Sequence, residues 1–252
     1  MQHLLGLARR AIDDYDMIRE GDNILVGVSG GKDSLTVLCL LARLRDFYPK
    51  KFTLHAATID MGFGQDFSPI EELCAGLGVP YTVKRTDIYD IIFNRRREKN
   101  PCSLCSKMRR GAIDNLALSL GCSRVALGHH MDDAVETYLM SLLYEGRFHC
   151  FSPVTYLTRC GLYQIRPMIY ISEAAAAAFS QREGLPVIKN PCPADGSSKR
   201  RYVKDLLRRL CAENPAFRQR IFTALQRSDI EQWKNPHPFV PFMNRSKGGR
   251  PL

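Results

Sequence analysis

Residues 24–34 read Ile24-Leu25-Val26-Gly27-Val28-Ser29-Gly30-Gly31-Lys32-Asp33-Ser34. The apolar run suits a buried strand, and the glycines that follow make a turn. Lys32, Asp33 and Ser34 then open a segment with Leu35, Val37, Leu38, Leu40 and Leu41 at helical spacing. Such a strand–turn–helix can hold pyrophosphate. Glycines let the backbone approach the phosphates, and the unpaired N–H groups of a helix start attract anions. Lys32 adds a point charge, and Asp33 a carboxylate for Mg²⁺. A kinase-type P-loop is excluded, because it needs four residues between its first glycine and Gly-Lys-[Ser/Thr]. The dinucleotide fingerprint G-x-G-x-x-G is absent from this turn as well. The plain alternative is an ordinary glycine-rich turn.

Outward from this turn the pattern alternates. A helix is expected over residues 1–20, with Leu4, Leu5, Ala8, Ala11 and Ile12 on one face. Strands are expected at 23–28, 52–59, 81–85, 124–127 and near 163–166. Helices are expected from Asp33 to about Arg45, and over 69–77, 106–120, 132–143 and 172–182, with a basic loop at 94–101. This alternation predicts an α/β fold: a parallel sheet with helices on both faces, followed by a basic helical C-terminal extension. Ligands of such sheets bind beyond the carboxyl ends of the strands. Four segments fall there: Ser29–Ser34, Asp60–Phe63, Thr86–Asp87 and Gly128–Asp133. The expected organisation is 1–190 for the sheet domain, 191–232 for the extension and 233–252 for a tail that is disordered or touches RNA.

The 252 residues carry 36 basic and 26 acidic side chains, a formal +10. That surplus suits a polyanion such as nucleic acid, although it also serves solubility. No apolar run approaches the ~20 residues that span a membrane, and no signal-peptide pattern follows Met1. A cytoplasmic chain is therefore expected, and its nine cysteines are not expected to form disulfides.

Cys102-Ser103-Leu104-Cys105, just before a predicted helix, has the spacing that brings two thiolates to one metal or cluster. The helix start and Lys107, Arg109 and Arg110 are expected to lower the thiol pKa values. Cys192, in a proline-flanked loop, is the favoured third ligand. Cys39, Cys74, Cys122 and Cys211 read as small apolar packing residues, and Cys150 and Cys160 stay ambiguous. Three readings stand for the pair: an iron–sulfur cluster with one open iron, a zinc site, and a redox couple.

Ser29-Gly30-Gly31-Lys32-Asp33-Ser34 matches the signature of the PP-loop ATP pyrophosphatases, which cleave ATP between the α and β phosphates and pass AMP to a substrate oxygen. Adding PCSLCSKMRRGAI (101–113), LGHHMDDAVET (127–137) and NPCPADG (190–196), the chain resembles the tRNA 2-thiocytidine-synthesising sulfurtransferases over roughly residues 5–225. The resemblance implies ATP at Ser29–Ser34, with Lys32 and Asp33 catalytic. It implies a 4Fe–4S cluster on Cys102, Cys105 and Cys192, and modification of cytidine at tRNA position 32. It also places Gly128, His129, Asp132 and Asp133 beside the nucleotide, with His129 on phosphate and Asp132 or Asp133 on Mg²⁺ or the base. The bland alternative for that motif is a helix capped by Asp132. Asp60 would touch ribose or a metal, or simply form a turn. Unlike family members with a second thiol in the later loop, this chain has Pro193, Ala194 and Asp195 after Cys192.

Two basic clusters flank the cysteines and are expected to hold RNA phosphates. One contains Arg95, Arg96, Arg97 and Lys99, continued by Arg109 and Arg110. The other contains Lys199, Arg200, Arg201, Lys204 and Arg208. The expected partners are tRNA, a cysteine desulfurase or other sulfur donor, and a second copy of the chain. Two rival functions remain open: a PP-loop tRNA ligase of the lysidine type, and a non-catalytic zinc- and nucleotide-binding RNA module.

Overall fold

A computed structural model describes residues 1–98, 101–189, 191–192, 199–230 and 233. Helix α1 (Gln2–Asp14) precedes strand β1 (Asp22–Gly27), helix α2 (Lys32–Phe47) and strand β2 (Phe52–Asp60). Helix α3 (Ser68–Gly76), strand β3 (Tyr81–Arg85), a π-helical turn (Asp90–Arg95) and helix α4 (Pro101–Ser119) follow. Then come β4 (Arg124–Ala126), α5 (Met131–Glu145), β5 (Val154–Leu157), β6 (Leu162–Ile165), α6 (Glu173–Arg182), α7 (Lys199–Glu213) and α8 (Phe217–Arg227).

The six strands run in the order β3-β2-β1-β4-β6-β5. Every pairing is parallel except β5 with β6. β1 lies at the centre and is buried on both faces: Ile24 and Val26 belong to the main core, and Leu25 to a second cluster under α4. A strand covered on both sides reads as a continuous apolar run rather than an alternating one, which is why Ile24-Leu25-Val26 is so plain in the sequence. The chain steps outward from β1 through β2 to β3, then returns to β4 on the other side of β1. The crevice beyond β1 and β4 is thus the switch point, where ligands of open α/β sheets bind.

The structure departs from the expected elements in three places. β5 was not anticipated: it is a short, half-exposed edge strand, and Gly161, at φ 69°, closes its hairpin with β6. The basic stretch at 94–101 is not one loop, because a π-helical turn runs into it and α4 begins at Pro101. Proline is favoured at the first helical position, where its missing N–H costs nothing. The C-x-x-C therefore lies inside the start of α4, Cys102 in its first turn and Cys105 one turn on. Finally, Val187-Ile188, strand-like in the sequence, joins no strand among the described residues. In the C-terminal part, Val203, Leu207, Phe222, Leu225 and Trp233 pack into the main core. The NPCPADG residues other than Pro191 and Cys192, Lys99, and 234–252 of the expected tail lie outside the described residues.

Candidate functional site

The turn after β1 is tied to the start of α2. The Ser29 amide donates to Ser34 Oγ at 3.0 Å, and that hydroxyl donates to the Gly31 carbonyl at 2.8 Å. Gly30 has φ 81°, a left-handed conformation that suits glycine, and Ile188 packs over it while donating its amide to the Gly30 carbonyl at 2.9 Å. The first N–H groups of α2 have no intrahelical acceptor. From the neighbouring strand, Gly128 presses its backbone onto α2: a Cβ there would lie 2.8 Å from the carbonyl carbon and oxygen of Asp33. The loop after β4 can sit this close only because residue 128 has no side chain.

A cavity of about 590 Å³ opens at this crevice. Its wall includes the apolar Val28, Ala57, Ile59, Phe67, Ile88 and Ile188. It also carries the polar and cationic Arg109, Arg110, His129, Gln164 and Arg166. Phe63, Tyr89 and Phe93 also line the cavity and form a run of rings, with centroids 4.7 and 5.1 Å apart. Sequence reasoning missed this aromatic series, which needs the 61–67 loop and the π-helical turn to meet.

All three expected ligand cysteines line this cavity. On α4, Cys102, Cys105, Ser106, Arg109, Arg110 and Ile113 make one stripe at helical spacing. Cys192 arrives from the other side, on the extended segment pinned to Gly30 through Ile188 and to Gln65, whose Nε2 donates to the Lys189 carbonyl. Cys102 is exposed, and Cys105 and Cys192 are half-buried. The expected lowering of the thiol pKa fails at Cys105. Burial pushes this thiol up, the neighbouring Cys192 and Cys102 add to the rise, and the Arg109 guanidinium opposes it without prevailing. A cation centre among the three would relieve that repulsion. Among the described residues, no three His, Cys, Asp or Glu side chains stand close enough to chelate one metal ion. An iron–sulfur cluster, which offers a separate iron to each thiolate, suits thiols spread around one cavity. Cys150 is buried, with its thiol pushed up to about 12 by burial. Cys160 donates to the Leu157 carbonyl within the hairpin.

The charged residues of the turn and of the Gly128–Asp133 motif take other partners than expected. Lys32 Nζ sits 2.8 Å from Asp33 and 3.5 Å from Glu173, and Glu173 also holds Lys204 at 2.7 Å. Asp132 is buried, accepts the Glu173 amide at 2.7 Å and pairs with Arg218 at 2.7 Å. Asp133 pairs with Arg200 at 2.6 Å, and Arg200 reaches Glu136 as well. The cap of α5 is His130, not Asp132: its ring accepts the Asp133 amide while Asp133 accepts the His130 amide. Asp132 and Asp133 thus brace α5 against α6, α7 and α8, and neither lines the cavity. Asp60 accepts the Gly62 amide at 2.8 Å and forms a turn.

His129 does line the cavity, its ring tilted against that of Phe151 with centroids 4.9 Å apart. Burial holds its pKa down at about 3 and the arginines nearby add to the effect, so it meets a ligand as a neutral ring rather than as a cation. Arg166 is 5% exposed, bonds the Ser152 carbonyl and Thr155, and lies over the Phe151 ring at 4.9 Å. It has no carboxylate partner among the described residues, and its Nε has no hydrogen bond. In the sequence this position is only the end of a strand.

Of the expected RNA contacts, Arg95, Arg96, Arg97, Arg109 and Arg110 are exposed, and Arg95 pairs with Asp90. Arg201 and Arg208 are exposed beside Asp205, and Lys199 lies over the Tyr144 ring. Arg200 and Lys204 are occupied by the braces just described.

Residues 7–211 match the model of the PP-loop domain. A tRNA-cytidine(32) 2-sulfurtransferase from Pelobacter propionicus is 41% identical over 229 residues, covering 89% of this chain and 84% of that protein. The chain belongs to this family. A second member, from Anaeromyxobacter dehalogenans, is 40% identical and covers 88% of this chain and 78% of its own length. The fold is also that of the U34-tRNA thiolase NcsA from Methanococcus maripaludis, solved with its [4Fe-4S] cluster: TM-score 0.71, 23% identity, 86% of this chain and 75% of that one.

Proposed function

We propose that the chain is an ATP-dependent tRNA sulfurtransferase that converts cytidine 32 to 2-thiocytidine. The observation that carries this reading is the meeting of the Ser29–Ser34 turn with Cys102, Cys105 and Cys192 on one cavity. ATP binds with its phosphates on the turn and its adenine among the apolar side chains of the wall, and Mg²⁺ joins the phosphates beside Asp33. A nucleotide must leave its stack to bring its base into such a cavity, and the Phe63–Tyr89–Phe93 rings offer faces for unstacked bases. The cytidine O2 attacks the α-phosphorus, the α–β bridge breaks, and pyrophosphate leaves. Lys32 and the amides of the turn stabilise the charge on the departing phosphates. A sulfur nucleophile, supplied by a cysteine desulfurase or another donor, then attacks C2, and AMP departs with the original oxygen. A 4Fe–4S cluster bound by the three cysteines would keep one iron without a protein ligand, a position for holding sulfur. A tRNA substrate and a set of free thiols suit a cytosolic enzyme.

The test is anaerobic reconstitution with iron and sulfide, followed by ATP and unmodified tRNA. Pyrophosphate release together with 2-thiocytidine in the digested tRNA is the expected result. With free lysine added, pyrophosphate release with an amine adduct on the base would return the lysidine-type reading, which leaves three cavity thiols without a role. Bound zinc and no pyrophosphate would return the non-catalytic one.

A further inference from the structure

Gln164 stands in the middle of β6, paired in register with Val125 of β4 and Thr155 of β5. It is 3% exposed, yet it lines the cavity. A buried amide calls for a partner on each end. One end has it: Nε2 donates to Oδ1 of Asp114 at 3.1 Å. Asp114 lies on α4, is itself buried, and belongs to the turn of helix that carries Arg110 and Ile113 into the cavity wall. The other end, Oε1, takes no hydrogen bond among the described residues.

The chemistry of the pair fixes which end is which. An ionised carboxylate only accepts hydrogen bonds, whereas an amide has a donating and an accepting end. The structure has the NH₂ group on Asp114, the orientation an ionised carboxylate demands even though burial raises the pKa of Asp114, and the carbonyl oxygen is what Gln164 has left for the cavity. The cavity wall thus sets one fixed acceptor, Oε1, among donors from Arg109, Arg110 and Arg166. Cytosine presents the complement on its pairing edge: an N4 amino donor beside the N3 and O2 acceptors. Uracil presents O4 where cytosine has N4, and would set oxygen against oxygen.

We infer that Gln164, locked in one amide orientation by Asp114, is the residue that selects cytosine over uracil. The inference rests on the sulfurtransferase reading above and adds the base-reading group. Its two supports are the acceptor-only character of a carboxylate and the place of Gln164 in the wall.

The experiment is a competition in one tube between two tRNA transcripts that differ only in C or U at position 32, with the reconstituted enzyme and ATP. The ratio of thiolated products gives the ratio of kcat/KM values, and this ratio is insensitive to how much of a variant is folded. Wild type is expected to favour cytidine strongly. Gln164→Leu removes the acceptor and should lower the cytidine-to-uridine ratio at least about tenfold, with KM for ATP unchanged. Asp114→Asn offers a donor as well as an acceptor, so the Gln164 amide can turn, and the ratio should fall in the same direction while Gln164 is still present. A wild-type ratio in both variants would overturn the assignment and leave the sulfurtransferase reading intact. A wild-type enzyme that thiolates no cytidine would overturn both.

Discussion

Replacing Gly128 by alanine should loosen the site at its tightest backbone contact. The added Cβ would lie 2.8 Å from the Asp33 carbonyl carbon and oxygen and 2.9 Å from the Ser34 nitrogen, whereas ordinary contact begins near 3.4 Å. All three atoms belong to the backbone of the first turn of α2, so no side chain can swing aside. The loop after β4 and the start of α2 must part by roughly 0.6 Å. Overpacking of this kind costs about 1–3 kcal/mol, or about 2–12 °C of melting temperature for a domain of this size. The same displacement acts on the turn amides proposed to hold the phosphates, and misplacement near 1 Å can cost about 100-fold in rate. Differential scanning fluorimetry and pyrophosphate release with tRNA measure the two effects on one sample. Gly111→Ala is the control: Gly111 lies inside α4 with open space for 4 Å around the place a Cβ would take, and should gain about 0.5–1 kcal/mol from reduced backbone freedom in the unfolded chain. A Gly128→Ala protein that melts with the wild type and turns over at its rate would refute the close approach.

Serine at Cys102, Cys105 or Cys192 should each reduce iron bound per chain after anaerobic reconstitution, read by metal analysis, while serine at half-buried Cys211 on α7 should not. His129 has a folded pKa of about 3 against 6.5 for an unperturbed imidazole. Between those values the unfolded chain alone takes the proton, so stability falls as pH drops below 6.5, by at most about 1.4 kcal/mol per pH unit from this group. His129→Gln should therefore lose less stability than wild type between pH 6.5 and 5 in urea titrations, and parallel profiles would refute the assignment. Trp233 is fully buried, meets Phe222 edge-on and donates Nε1 to the Phe151 carbonyl at 2.9 Å. Trp233→Ala should cost about 3–5 kcal/mol, visible as a lower melting temperature. An unchanged one would show that the indole is dispensable.

The parts of the molecule legible in the sequence are those whose causes are local. The strand–turn–helix at 24–34 is set by an apolar run, glycines and a helix start within a dozen residues, and it stands where expected. The helix after the C-x-x-C was legible too, although Pro101 starts it earlier than expected and takes both cysteines into it; the stripe they make with Arg109 and Arg110 was not. The charges of the Gly128–Asp133 motif were not legible, because their partners lie far along the chain. Asp132 is answered by the Glu173 amide and Arg218, and Asp133 by Arg200. Two adjacent aspartates after a strand look the same in sequence whether they face a metal or brace a helix. Arg166 and Gln164 were invisible for the opposite reason: each is one polar residue in or beside a short apolar strand, and only the third dimension reveals the cavity next to it.

These placements give the basic surplus of the chain a direction. Arg200, Lys204 and Arg218, three cations of the C-terminal helices, are spent on Asp133, Glu173 and Asp132. Their pairing holds α7 and α8 against α5 and α6, and through Glu173 it reaches Lys32 on the phosphate turn. The cations facing the cavity lie instead on α4 and just after β6, with no carboxylate across from Arg166 among the described residues. A polyanion approaching the chain is therefore drawn toward the α4 side of the crevice, where the exposed Arg96, Arg97, Arg109 and Arg110 stand, and where the thiols and the turn meet. Substituting Arg109 or Arg110 by glutamine should then weaken tRNA binding and flatten its salt dependence, while the same change at Arg200 should act mainly on stability. Filter binding across salt concentrations separates the two. A salt slope that responds to Arg200 and ignores α4 would place the RNA on the opposite side of the crevice.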